Sequence, residues 1–161
     1  MPLGVRHEQR HIGHMLGMPT DSAPRLPDPG VEVRRWVLDN ATQLAGLRSA
    51  LLESIAPAPR PPNHELDVVA EKMLIVATEL ATNGLKYGLP PTIVRLCRIG
   101  EDFLIDVVDH DPATRPEHPP RRSNTTGGLG LRLTRTLAFD VGWYRTVTTK
   151  HMWARFRVPP D

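Results

Sequence analysis

Glu79 and Asn83 stand four positions apart in a segment whose apolar residues recur at helical spacing. At about 100° per residue, a helix places these two side chains within about 40° of each other along one line. Viewed along the helix axis, Val76 lies between Met73 and these two residues. Glu79 and Asn83 therefore lie at the edge of the apolar stripe. A half-buried carboxylate and amide need partners, which Mg²⁺ with phosphates would supply. Alternatively, Glu79 pairs with an arginine and Asn83 marks a fraying helix end.

Asp109 ends a predicted strand over 103–109 whose odd-numbered positions are apolar up to 107. Alternation therefore points Asp109 toward the core and points Asp106 toward the opposite face, where we expect solvent. A buried carboxylate at a strand end can accept a hydrogen bond from an exocyclic amine, such as that of adenine. The alternative is a turn aspartate that opens the loop at 110–112.

Gly127, Gly128 and Gly130 lie between a polar loop and a predicted helix. Backbone amides left bare by glycine, together with a helix N-terminus, can hold phosphate. The segment is not a P-loop, because no Gly-Lys-Ser/Thr follows, and it is not the dinucleotide fingerprint. Taken alone, it could equally be a hinge or a turn.

The 17 prolines divide the chain into the elements that must position these residues. β-Branched and alternating patterns predict strands at 31–37, 92–99, 103–109, 141–149 and 152–158, the last two joined near Lys150-His151. Three- and four-residue apolar spacing predicts helices from a cap at Asn40 to Ile55, from about Glu65 to Tyr87, and over about 128–139. This order lacks strict strand–helix alternation. It predicts an α+β two-layer sandwich, with a mixed, mostly antiparallel sheet and helices on one face.

Length and charge limit the classes of protein. A chain of 161 residues suits one domain over 31–161 behind a poorly ordered tail at 1–30. A net charge of +2 is not that of a dedicated nucleic-acid binder. No apolar run approaches the ~18 residues of a membrane span. The start lacks a signal-peptide core, and Cys97 is the only cysteine, so we expect a reducing cytoplasm and no membrane partner.

Together, the three patterns resemble the GHKL (Bergerat-fold) ATPases, and within them the small anti-sigma-factor serine/threonine kinases. The segment 79–83, Glu-Leu-Ala-Thr-Asn, is similar to their N-box. The segment 107–112, Val-Val-Asp-His-Asp-Pro, is similar to the first glycine box, and 127–131, Gly-Gly-Leu-Gly-Leu, to the second. The resemblance covers about residues 31–158.

The resemblance implies an ATP site in which Asn83 binds Mg²⁺, Glu79 is the general base and Asp109 reads adenine. It also implies that 110–127 form an ATP lid and that backbone amides hold the phosphates at Gly128, Leu129, Gly130 and Leu131. Such proteins phosphorylate a serine of an antagonist protein, bind a sigma factor in the alternative partner state, and form homodimers.

The chain departs from the family pattern at two places. His110 and the pair Asp111-Pro112 replace the usual glycines of the first glycine box, and Tyr87 stands where relatives often carry histidine. The alternative function is therefore a partner-binding module of the same fold without catalysis.

The sequence His7-Glu8-Gln9-Arg10-His11 matches the zinc-hydrolase pattern H-E-x-x-H. It lies in the terminal tail and has no apolar stripe that could pack against a core. We therefore interpret it as a disordered segment or one that binds metal only adventitiously.

Overall fold

The computed structural model describes residues 28–114 and 133–160. Within these ranges the chain is α+β, as predicted, with five antiparallel strands and two long helices. In chain order, the elements are β1 (Val31–Leu38), a 3₁₀ turn (Ala41–Gln43), α1 (Leu44–Ile55), α2 (His64–Tyr87), β2 (Thr92–Ile99), β3 (Asp102–Asp109), β4 (Asp140–Arg145) and β5 (Lys150–Phe156). Residues 133–137 are also helical. None of the helices described is long and apolar enough to cross a membrane.

Asparagine side chains cap the N-terminus of the 3₁₀ turn that leads into α1 and the N-terminus of α2. Asn40, the predicted cap, accepts a hydrogen bond of 3.0 Å from the backbone N–H of Thr42, and Gln43 reaches back to the Asn40 N–H to complete a capping box. Asn63 accepts 3.0 Å from the N–H of Leu66 at the start of α2. These bonds satisfy donors that have no partner within the helix.

The strands lie in the order β1-β2-β3-β5-β4, and every neighbouring pair is antiparallel. Register aligns the apolar side chains of successive strands on one face, which packs against α1 and α2. This core includes Leu51 from α1, the stripe of α2, and Val94, Leu96, Ile105, Val107, Ala154 and Phe156 from the sheet. The apolar spacing predicts a buried stripe on α2 made of Leu66, Val69, Met73, Val76, Ala77 and Leu80. All of these are buried except Leu66, which is half-buried and packs against the same core.

The turn of the last hairpin differs from the prediction, which placed it near Lys150-His151. The turn lies at 146–149 instead, and Lys150 begins β5. The backbone N–H of Thr146 donates 2.9 Å to the carbonyl of Thr149, and the hydroxyl of Thr146 accepts 3.3 Å from the N–H of Thr148. Threonine is typical of strands, yet its hydroxyl can close a turn through the backbone, and here that second property decides.

Candidate functional site

Asp109, the last residue of β3, is 5% exposed and lies on the helix-facing side of the sheet, which confirms the prediction from alternation. Register places it opposite Lys150, whose Nζ lies 3.4 Å from Asp109 Oδ2. The other oxygen, Oδ1, accepts 2.8 Å from the backbone N–H of Asp111. Lys150 is itself buried and also donates 3.0 Å to the carbonyl of Thr114.

Burial has the largest effect on Asp109 and raises its pKa above the ordinary value of 3.8. The N–H of Asp111 and the ammonium of Lys150 act in the opposite direction and lower this pKa, whereas the negative charge of Asp111 raises it. Because the folded state holds the proton more tightly, Asp109 lowers the free energy of unfolding as the pH rises from 3.8 through the raised value.

Asp109 also opens a turn, which is the alternative interpretation of this residue. Beyond the bond from Asp111 to Asp109, the Asp111 carboxylate accepts 3.2 Å from the N–H of Ala113 and 3.3 Å from the N–H of Thr114. Hydrogen bonds from Thr114 are the main reason that the pKa of Asp111 is lowered. Asp109 and Asp111 thus fix the path of the chain over 109–114, because each carboxylate accepts hydrogen bonds from backbone N–H groups that follow it.

His110, which replaces a glycine of the family pattern, ties this turn to the connection that follows α2. Its backbone N–H donates 2.9 Å to the carbonyl of Leu89, and its ring Nδ1 lies 2.9 Å from the carbonyl of Pro91, to which it donates. The end of β3 and the end of α2 are therefore held together by the backbone as well as by packing.

Glu79 and Asn83 lie on α2 as predicted, and both are half-buried. The helix continues to Tyr87, so Asn83 does not mark a fraying end. Neither side chain has a hydrogen bond or an ion pair with the residues that the structure describes, in contrast to Thr78 and Thr82, which bond to carbonyls within the helix. The alternative interpretation, in which Glu79 pairs with an arginine, is not found among those residues.

Two glycines bring the end of α2 against the sheet. A Cβ built on Gly84 would lie 2.9 Å from Thr92 Cγ2, and one built on Gly88 would lie 2.6 Å from both Cβ and Oδ2 of Asp109. Gly88 has an extended backbone, so the close approach and not its φ angle requires glycine here. Asn83, next to Gly84, and Asp109 consequently belong to the same end of the helix–sheet interface.

The prediction that Asp106 faces solvent is wrong, because this residue is only 1% exposed. It does point to the face opposite the helices, but β3 is the central strand. Arg95 of β2 contacts Asp106 from one side at 2.8 Å, and His151 of β5 contacts it from the other at 3.1 Å. Arg95 also bonds to Glu32 at 2.8 Å, and Tyr144 stacks on the His151 ring.

The predicted phosphate-binding residues Gly128, Leu129, Gly130 and Leu131 lie outside the described residues, as do most of the proposed lid and the H-E-x-x-H segment. Within 28–114 and 133–160, no group of three His, Cys, Asp or Glu side chains could hold a metal ion.

Lys150 and Gly88 are the site residues that sequence reasoning missed. From the sequence, Gly88 is only the residue that follows the predicted helix, and Lys150 lies in the predicted turn of the last hairpin. No local sequence signal marks Lys150 as a site residue, because its place opposite Asp109 depends on the pairing and register of β3 with β5.

The described part of the site thus contains a buried carboxylate, Asp109, and a neighbouring helix that carries the oxygen-bearing side chains of Glu79 and Asn83. Such a set can receive an amine at one end and a hard cation along the helix. No protein-family model matches the chain, and no curated protein matches it.

Proposed function

We propose that this protein binds ATP with Mg²⁺ in the manner of the GHKL ATPases and acts as an anti-sigma-factor serine/threonine kinase. One observation carries the proposal: Asp109 is buried at the end of β3, in contact with Gly88 at the end of the helix that bears Glu79 and Asn83. The α+β class with an antiparallel sheet is compatible with the Bergerat fold.

Asp109 would receive the exocyclic amine of adenine. An ionised carboxylate can accept about four hydrogen bonds. The contacts with Asp111 and Lys150 leave part of that capacity free, and the surrounding burial strengthens any bond made there.

Asn83 would bind Mg²⁺, with Glu79 beside it. An amide and a carboxylate oxygen are the ligand types that this cation takes from a protein, and both are half-buried without a partner in the described ranges. When bound, the cation supplies charge neutralisation at the phosphates.

Glu79 would accept the proton of the attacking serine hydroxyl of the antagonist protein. The serine oxygen forms a bond to the γ-phosphorus while the bond from that phosphorus to the β–γ bridging oxygen breaks and ADP leaves. Glu79 would also position the hydroxyl for attack. The sigma factor would bind the same protein in its alternative partner state, and the protein would act as a homodimer.

Asn83→Ala should weaken binding of ATP with Mg²⁺ by at least about tenfold, because a metal ligand is removed. Calorimetric titration at one fixed salt concentration measures this directly. Glu71→Ala, an exposed position on the same helix, is the matched control and should bind as the wild type does. Absence of saturable ATP binding to the wild type would refute the proposed function.

Glu79→Ala should leave ATP binding within about twofold of the wild type and lower phosphoryl transfer by about 10²–10⁴-fold, the range for a lost general base. Transfer to the serine of a candidate antagonist is followed by mass spectrometry. Unchanged transfer by the variant would show that Glu79 is not the base.

A second candidate is a module of the same kind that binds partners without catalysis. It is favoured by the altered glycine box, in which His110 and Asp111 make structural hydrogen bonds where relatives have glycine. A wild-type protein that binds a sigma factor but transfers no phosphate would support this candidate.

A further inference from the structure

Lys150 is a buried cation for which the proposed function has assigned no role. Its side chain is 4% exposed, and a buried ammonium is costly unless it has partners. Among the described residues it has two: Asp109 Oδ2 at 3.4 Å and the carbonyl of Thr114 at 3.0 Å. Both contacts lie at the start of β5, directly across from the end of β3.

In the part of the chain that the structure describes, the groups that face Asp109 come from the end of α2, the turn after β3, and β5. Gly88, which follows α2, contributes no charge. The turn after β3 presents Asp111, whose N–H favours the ionised form of Asp109 and whose negative charge opposes it. β5 presents Lys150, whose positive charge favours the ionised form. Burial opposes it, so the charge state of Asp109 depends on the Asp111 N–H and, next to it, on Lys150.

The charge state decides which base this carboxyl group can bind. An ionised carboxylate only accepts hydrogen bonds, whereas a protonated one can also donate. We propose that Lys150 is a specificity-determining residue, which holds Asp109 as an acceptor so that the pocket takes a base with an exocyclic amine and rejects one with an oxo group at that position. This inference rests on the proposed nucleotide site.

The test compares the affinities for ATP and GTP from about pH 5 to about pH 8. The wild type should prefer ATP throughout. Lys150→Met should lose ATP affinity as the pH falls, and its ATP-to-GTP ratio should drop at least about tenfold, because a protonated Asp109 no longer rejects an oxo group. Lys150→Arg, which keeps the charge, should restore the ratio. Lys72→Met, on α2, is the matched lysine control and should not change it.

A second measurement needs no nucleotide. Carbon NMR of labelled aspartate follows the titration of Asp109, whose signal is identified by its absence in Asp109→Asn. In Lys150→Met the pKa of Asp109 should rise by at least about one unit, the smallest shift expected when an opposite charge at this distance is lost. Lys150→Gln keeps a donor for the Thr114 carbonyl and should show the same rise, which covers the case in which the methionine variant does not fold.

The two measurements separate the inference from the proposed function. An unchanged pKa of Asp109 in both uncharged variants overturns the role of Lys150, whether or not nucleotide binds. A wild type that binds ATP, with a Lys150→Met variant of unchanged ATP-to-GTP ratio, also overturns it and leaves the proposed function standing. A wild type that binds neither nucleotide overturns both the proposed function and the specificity role.

Discussion

Gly88→Ala should abolish saturable ATP binding and lower the free energy of unfolding by about 1–3 kcal/mol, the usual cost of forcing extra atoms into a packed site. The added methyl would lie 2.6 Å from both Cβ and Oδ2 of Asp109 and closer still to Cγ. Asp109 cannot yield easily, because the Lys150 and Asp111 contacts hold its short side chain. Either α2 moves away from β3 or the carboxylate turns, and in both cases Asp109 leaves the position in which it would contact the base.

Calorimetry with ATP and urea denaturation of the same variant measure the two effects. Gly46→Ala is the matched control, because a methyl group there meets nothing within 4 Å. Since alanine has a higher helix propensity than glycine, this variant should have an unchanged or slightly higher free energy of unfolding. Gly88→Ala with wild-type affinity for ATP would mean that Asp109 does not contact the base.

Asp106→Ala should lower the free energy of unfolding by about 3 kcal/mol, the lower end of the range for breaking a buried ion pair. The carboxylate is 1% exposed and contacts Arg95 and His151, both of which would lose their shared acceptor. The lower end applies because Arg95 is 25% exposed and keeps its bond to Glu32. Urea denaturation at neutral pH provides the measurement.

Two variants control this result. Asp106→Asn keeps an acceptor oxygen and the side-chain volume, so it should be less destabilised than the alanine variant. Glu101→Ala removes an exposed carboxylate 3.8 Å from Arg98 and should change stability by at most about 0.5 kcal/mol. Because Asp106 lies on the sheet face opposite the proposed site, Asp106→Asn should also bind ATP normally. Loss of ATP binding in Asp106→Asn would contradict the placement of the proposed site on the helix-facing side of β3.

Sequence periodicity predicted α1, α2 and the five strands, although it misplaced the turn of the last hairpin, and it predicted the direction of side chains on α2 and β3. The apolar stripe of α2 predicted the buried face of that helix, and alternation in β3 predicted that Asp109 points toward the helices. Asn40 was recognisable as a cap because its partners lie only two and three residues away. These features depend on neighbours in sequence, so the local pattern determined them.

Only the tertiary structure decided what each side chain meets. Alternation assigned Asp106 to the face opposite the helices, but its burial depends on Arg95 and His151 from the strands on either side. The closeness of Gly88 to Asp109 follows from how tightly α2 packs on β3, and the pairing with Lys150 follows from the register of β5. Periodicity reports the direction of a side chain on its own element. Contacts between elements also require the register and the separation of their backbones, which no local pattern contains.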